Sequence, residues 1–227
     1  MSAKFYLVGG ALRDRFLGLP SKDFDYTVEA ASFEEMEKAI LEKGGEIFLS
    51  TPKYLTSRAR VPALGAADYV LARKDGSYFD GRHPETVEPG TIFDDLARRD
   101  FTMNAIAEDV DTGKVIDPFD GRKDIQSKIL RAVGEPWDRF NEDKLRILRA
   151  IRFAVTKRFM VEPNTYKAMR AFPTLEGVSV ERIREELRKA FAADTLTTLN
   201  WLHDFSNLQD YIFRETPLWL TPTLEGR

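Results

Sequence analysis

The chain has 227 residues, 43% of them hydrophobic, enough for one large domain or two modest ones around a buried core. It has no cysteine and only two histidines, His83 and His203, which excludes disulfides, thiolate catalysis and cysteine zinc sites and argues against a His-rich metal centre. The net charge of −3 argues weakly against a nucleic-acid binder, but residues 122–189 hold 17 Lys/Arg against 10 Asp/Glu beside an acidic N-terminal part. That split suits phosphate contacts next to a metal site, and it suits an ordinary solvated helix face equally well.

Met1-Ser2-Ala3-Lys4 lacks the apolar core of a signal peptide. No apolar run approaches the roughly 18 residues of a membrane span. A cytoplasmic protein is therefore expected. Phe5–Val8 reads as a short strand, and Gly10–Leu17 as a helix stopped near Gly18 and Pro20. Asp23–Val28 is the second strand. Ser32-Phe33-Glu34-Glu35 fits a capping box, opening a helix to Lys43 that Gly44-Gly45 ends. Glu46–Leu49 is a further strand. Lys53–Ala67, with its basic residues, Pro62 and Gly65, is expected to be a mobile loop. Asp68–Arg73 is a strand, Asp75-Gly76 a hairpin signal, and Tyr78–Gly90 an irregular loop. After about Gly121 the spacing turns helical, with helices predicted over Asn141–Thr156, Pro163–Ala171, Ser179–Phe191 and Leu196–Phe205. The tail from Thr216 is expected to be poorly ordered.

Two features carry chemistry. If Asp23–Val28 is a strand, Asp23 and Asp25 project onto one face, and two hard oxygen ligands on one face suit Mg²⁺. Asp68, opening a later strand, would be a third carboxylate beside them. Leu7-Val8-Gly9-Gly10 ends a strand and opens a helix, where glycine lets backbone N–H groups approach a phosphate. Arg13, one turn in, reaches the same phosphates. Taken singly, each also fits a plain surface: solvated aspartates, a tight turn and an exposed arginine. Together they suggest an enzyme handling a nucleoside triphosphate.

The run Leu7-Val8-Gly9-Gly10-Ala11-Leu12-Arg13-Asp14, then Leu17-Gly18, then Asp23-Phe24-Asp25, resembles the signature of class II tRNA nucleotidyltransferases (CCA-adding enzymes) and their bacterial poly(A) polymerase relatives. Four later stretches add to the resemblance: Asp80-Gly81-Arg82-His83-Pro84; Asp95 through Arg98-Arg99-Asp100-Phe101-Thr102-Met103-Asn104; Asp117-Pro118-Phe119-Asp120-Gly121; and Glu142-Asp143-Lys144-Leu145-Arg146, continuing through Arg149, Arg152 and Phe153. They occur in family order over roughly residues 5–155. The resemblance implies an α/β nucleotidyltransferase head with a mixed sheet over residues 1–122 and an all-α neck over 123–227, without the family's long body and tail domains. It implies that Asp23 and Asp25 ligate Mg²⁺, with Asp68 in the third-carboxylate position, where relatives often have glutamate. Gly9, Gly10 and Arg13 would contact the triphosphate and Arg99 the nucleotide, while Asp100 holds local structure.

On a helix turning about 100° per residue, Glu142, Arg146 and Arg149 cluster on one face, with Asp143 and Arg152 flanking it. A carboxylate accepts from an exocyclic amino group and a guanidinium donates to a ring nitrogen. Asp143 with Arg146 would therefore select cytosine and adenine and reject uracil and guanine, while Arg149 and Arg152 hold phosphate or base. The competing view is an ordinary salt-bridged helix. His83 and His203 are expected to be structural, and Trp137, Trp201 and Trp219 to pack in a core or interface. Lys53, Arg58 and Arg60 either steer substrate or are simply solvated.

The expected function is template-independent addition of CMP and AMP, from CTP and ATP, to the 3′ end of tRNA or another RNA primer. Two metal ions would assist and pyrophosphate would leave. Poly(A) addition, partial CC or A addition, and an inactive RNA-binding module stay open as alternatives. An oligomer or a partner could help to hold the RNA.

Overall fold

Strand alternation builds the sheet that places the candidate site. The computed structural model describes residues 3–21, 23–76 and 87–216. Its contacts divide the chain into two units, meeting in sequence at Gly134/Glu135.

The first unit contains β1 (Lys4–Val8), α1 (Gly9–Phe16), β2 (Asp25–Glu29), α2 (Phe33–Glu42), β3 (Glu46–Thr51), β4 (Thr56–Val61), β5 (Gly65–Leu71), β6 (Arg73–Asp75), β7 (Val87–Pro89), α3 (Ile92–Ala97), β8 (Ala107–Asp109), β9 (Val115–Ile116) and α4 (Gly121–Ser127). Seven strands form one sheet in the order β3-β4-β5-β2-β1-β8-β9. Only β2 and β5 pair in parallel; the other neighbours are antiparallel. This is the mixed sheet with helices expected of a nucleotidyltransferase head.

The two faces differ. On one, Phe5, Tyr26, Val28, Ala59, Val61, Tyr69 and Leu71 meet Phe33, Met36 and Ile40 of α2. Ser32 caps that helix, accepting from the Glu35 amide at 3.2 Å. On the other face, Tyr6, Val8 and Ala107 pack with Ile92 and Leu96 of α3. A capping box between Thr91 and Asp94 starts α3.

Two expectations need correction. Residues 53–67 are not a loop: β4 and β5 form a hairpin there. Ser57, Ala59 and Val61 alternate inward while Arg58 and Arg60 point out, so the basic residues are the solvent half of a strand. Pro62 falls in the turn, and Ala63 and Gly65 take positive φ of 67° and 82°. The contact division of the chain falls after Gly134. In the segment before it, Asp124 binds Thr102 Oγ1 at 2.7 Å and Arg131 Nε at 3.0 Å, and Ala132 bridges Phe101.

The second correction concerns the second unit, which contains α5 (Pro136–Glu142), α6 (Leu145–Lys157), α7 (Pro163–Arg170), α8 (Val180–Ala193), α9 (Thr195–Asp204) and α10 (Ser206–Asp210). The single helix predicted over Asn141–Thr156 is broken. Asp143 is extended, with φ −152° and ψ 101°, and its Oδ1 accepts from the Leu145 amide at 3.1 Å. Asp side chains that bond the nearby backbone favour such breaks. The core forms where α6 packs on α8, with Ile147, Leu148, Ile151, Ile183 and Leu187 buried. Trp201 stacks on Phe205 and meets Tyr166 edge-on, while Trp137 packs on Phe172 and stays 48% exposed. His203 lies exposed on α9. The stretch Asp80–Pro84, with His83, and Trp219 lie outside the described residues. Among the described residues no helix is long and apolar enough to cross a membrane.

Met36 is fully buried beneath the sheet. Met36→Ala should cost about 2–5 kcal/mol, read as a lower urea midpoint with an unchanged slope.

Candidate active site

The ladder between β1 and β2 ends on the pair Val8↔Asp25, because β1 turns into α1 at Gly9. Across the parallel pair, Asp25 stands opposite Asp68, so the two carboxylates share a face on neighbouring strands. Asp23 does not share the strand: β2 starts at Asp25, and Asp23 lies exposed ahead of it, past the last rung. Asp25 and Asp68 thus share a face, while the strand expected from Asp23 begins at Asp25, and the charge of Asp23 still acts on Asp25. Partial loss of solvation, then repulsion by Asp68, pushes the Asp25 carboxyl above its ordinary value; Arg99 opposes this and Asp23 adds to it.

Gly9 closes the other side. Its φ is +70°, and a Cβ there would sit 3.3 Å from Arg99 Nη1 and 3.8 Å from Asp25 Oδ2. The positive φ favours glycine, and the close approach of Arg99 leaves little room for a side chain. Val8 supplies no side-chain cap to α1, which leaves the first amides of the helix to other acceptors.

Beneath lies a buried ionic network. Asp95, with no exposure, accepts from Arg99 Nε at 3.2 Å and Arg99 Nη2 at 2.9 Å, and from Thr27 Oγ1 at 3.2 Å. Arg98 bonds its other oxygen. Burial pushes the Asp95 carboxyl up, but Arg99 and Arg98 outweigh it and hold it below the usual carboxylate range. Arg99 Nη1 also donates to the Asn104 carbonyl at 3.2 Å. Arg13 is buried and donates to Asn104 Oδ1 at 2.8 Å, while Asn104 Nδ2 donates to Asp100 Oδ1 at 2.9 Å. Asp100 also accepts from the Phe101 amide at 2.8 Å, in keeping with its expected local role. Sequence reasoning assigned nothing to Thr27, Asp95 or Asn104. The i,i+3 and i,i+4 spacing of Asp95 to Arg98 and Arg99 was the available signal.

In the second unit Glu142 and Arg146 meet at 2.7 Å, and Arg146 Nη1 also donates to the Arg139 carbonyl at 3.0 Å. The Asp143 carbonyl accepts from the Arg146 amide at 3.0 Å, but its carboxylate pairs with Arg182 of α8 at 2.7 Å. The break at Asp143 removes the common helical wheel that would have aligned them. Arg149, at 3.5 Å, and Arg152 both bind Glu186, which is buried.

Among the described residues no three His, Cys, Asp or Glu side chains converge into a ready metal site. One or two carboxylates suffice for Mg²⁺ when substrate phosphates and water complete its shell. The Asp25–Asp68 pair, whose repulsion a cation would relieve, fits that pattern.

Residues 5–131 match the family described as the poly A polymerase head domain, and residues 158–217 the one described as a probable RNA and SrmB-binding site of polymerase A. The chain belongs to the tRNA nucleotidyltransferase and poly(A) polymerase family. Over 193 residues it is 39% identical to a CCA-adding enzyme of Streptococcus suis, covering 83% of this chain and 46% of that one. The CCA-adding enzyme of Bacillus stearothermophilus, solved in complex with CTP, superposes with a TM-score of 0.78 at 33% identity, over 94% of this chain and 51% of that one. A tRNA nucleotidyltransferase complexed with a primer tRNA and an incoming ATP analog gives a TM-score of 0.75 at 29% identity, over 96% and 61%. The chain spans about half the length of the curated relatives it matches.

Asp25→Asn should raise the thermal midpoint at pH 7. A carboxyl with a raised folded pKa holds its proton more tightly folded than unfolded, so its ionisation opposes folding above both values. The gain should fade as pH falls below the unfolded value of about 4. Midpoints of the two proteins from pH 3.5 to 8 should converge at the acid end. A variant no more stable than the parent at pH 7 contradicts the repulsion.

Proposed function

We propose that this chain is a template-independent RNA nucleotidyltransferase, which transfers CMP and AMP from CTP and ATP to the 3′ end of tRNA with release of pyrophosphate. The observation that carries this is the in-register Asp25–Asp68 pair bordered by Gly9 and Arg99, in a chain of this family. The names of the relatives support tRNA as the acceptor.

In this reading Asp23 and Asp25, with Asp68 as third carboxylate, hold Mg²⁺. The bound ions would polarise the attacking hydroxyl and the triphosphate. Gly9 and Gly10 offer backbone amides to the triphosphate, and Arg13 and Arg99 supply positive charge. Arg99 is held by Asp95, so its guanidinium is oriented before substrate arrives. Base choice is assigned to the second unit. There Asp143 would accept from the exocyclic amino group of cytosine or adenine and Arg146 would donate to the adjacent ring nitrogen. Arg182 and Glu142 hold those two groups in place. Glu142, Arg149 and Arg152 complete the nucleotide pocket of this proposal, with Arg152 over the Phe153 ring at 3.9 Å. Poly(A) addition is the second reading, since the matched head domain is named for poly A polymerase, while the names of the relatives point to CCA addition.

The purified protein, given Mg²⁺ and tRNA ending before CCA, after C or after CC, should add C, C and A in order when each triphosphate is offered. A long A tail would select the second reading, and failure to incorporate any nucleotide on any of these primers would overturn both. Asp25→Ala should reduce transfer below detection. Asp143→Ala or Arg146→Ala should lower discrimination by about 1–3 kcal/mol, a rise of about 5- to 150-fold in UMP or GMP use. Unchanged base choice in both variants would refute the assignment of Asp143 and Arg146.

A further inference from the structure

Asn104 ends a short 3₁₀ turn, Thr102–Asn104, that leads towards β8. Its side chain is buried between two charged groups, Arg13 and Asp100. The placement of its two amide atoms is forced, because a guanidinium only donates and a carboxylate only accepts. Oδ1 therefore faces Arg13 Nη1, at 2.8 Å, and Nδ2 faces Asp100 Oδ1, at 2.9 Å. Asp100 is itself held, since the same oxygen accepts from the Phe101 amide at 2.8 Å. The backbone of Asn104 is fixed too. Its amide donates to the Phe101 carbonyl at 2.9 Å, and its carbonyl accepts from Arg99 Nη1 at 3.2 Å.

Asn104 thus touches both guanidiniums that border the glycine turn. A Cβ built at Gly9 would meet Arg99 Nη1 at 3.3 Å, and one built at Gly10 would meet Arg13 Nη2 at 3.5 Å. The two arginines are not held alike. Arg99 has the buried Asp95 behind it, bonded through Nε and Nη2, and its bond to Asn104 is to the backbone. Arg13 meets its sequence neighbour Asp14 through Nε and Nη2, both at 2.9 Å and both at the single oxygen Oδ1. Two donors converging on one oxygen set the distance of a guanidinium but not its tilt. The bond from Nη1 to Asn104 Oδ1, from a residue 91 positions away, adds the second point that fixes the plane.

We propose that Asn104 is a positioning residue for the triphosphate: its side chain sets the orientation of Arg13 towards phosphates at the Gly9-Gly10 turn. The proposal rests on the nucleotidyltransferase reading, which puts the triphosphate against Gly9, Gly10 and Arg13. A guanidinium aimed before the substrate arrives spends less of the binding energy on ordering. A group that acts through Arg13 acts on the charged tail of the nucleotide and not on its base. Loss of the Asn104 side chain therefore weakens CTP and ATP alike. It does so only while Arg13 is present.

Isothermal titration calorimetry with Mg²⁺ and without RNA gives the Kd of CTP and of ATP for the parent, Asn104→Ala, Asn104→Asp, Arg13→Ala and the double variant Arg13→Ala with Asn104→Ala. Asn104→Ala should raise both Kd values by the same factor, about 5- to 50-fold. In the Arg13→Ala background the same substitution should add no more than about twofold, because the group it acts through is gone. Asn104→Asp separates aim from packing. Its carboxylate keeps an acceptor for Arg13 but faces Asp100, so it should lower the thermal midpoint while CTP binding stays within about threefold of the parent. A purely structural Asn104 would instead give binding losses that follow the loss of thermal midpoint in both variants. That result would overturn the proposal, as would an unchanged CTP Kd in Asn104→Ala, a loss confined to one base, or an equal loss in the Arg13→Ala background. Because binding is read without RNA, the two proposals fail separately. The expected Kd pattern with no transfer to any primer would sink the enzymatic reading and keep the role of Asn104. Transfer by the parent with an unchanged CTP Kd in Asn104→Ala would do the reverse.

Discussion

The candidate site depends on a buried ion pair that does not itself face the open surface. Asp95 is fully buried, and its carboxylate is compensated by two guanidiniums and the Thr27 hydroxyl. Removing one partner from such a cluster leaves an uncompensated charge, which is far more costly than exchanging the whole cluster for apolar groups. Arg99 is therefore anchored from behind, and from that anchor it presses against Gly9 and acts on Asp25. One contact set thus ties α3 to β2, to the start of α1 and, through the Asn104 carbonyl, to the segment after α3. The position of Arg99 is a consequence of packing, and its field at Asp25 follows from that position.

Much of this was legible in the sequence, but unevenly. The glycine turn, the strand after it and the carboxylate at Asp68 could be read because each imposes a local rule: a positive φ, a period of two, a strand start. The strand expected from Asp23 starts two residues later because β1 ends at Val8 and no ladder partner remains beyond Asp25. Arg58 and Arg60 were read as loop residues because their charge was weighed and their alternation with Ser57, Ala59 and Val61 was not. The break at Asp143 was hidden because the apolar spacing of α6 runs smoothly into that of α5, and only the side-chain bond to the Leu145 amide marks the joint. The partnership of Asp143 with Arg182, 39 residues on, is a tertiary fact that local pattern does not encode.

The same features explain why the site is electrostatically unsettled while its surroundings are not. Around Asp95, Glu186 and Glu142, every acid is matched by guanidiniums at close range. At Asp25 the balance runs the other way: burial and then repulsion by Asp68 push its carboxyl up, Arg99 compensates only in part, and Asp23 adds to the repulsion. Stable folds tend to satisfy their charges and cover their sheets, and departures concentrate where function requires them. This chain departs at an under-compensated carboxylate pair, Asp25 with Asp68, whose repulsion a cation would relieve. In the proposed reaction a metal-bound triphosphate would bring that cation, so the departure sits where the proposed chemistry needs it.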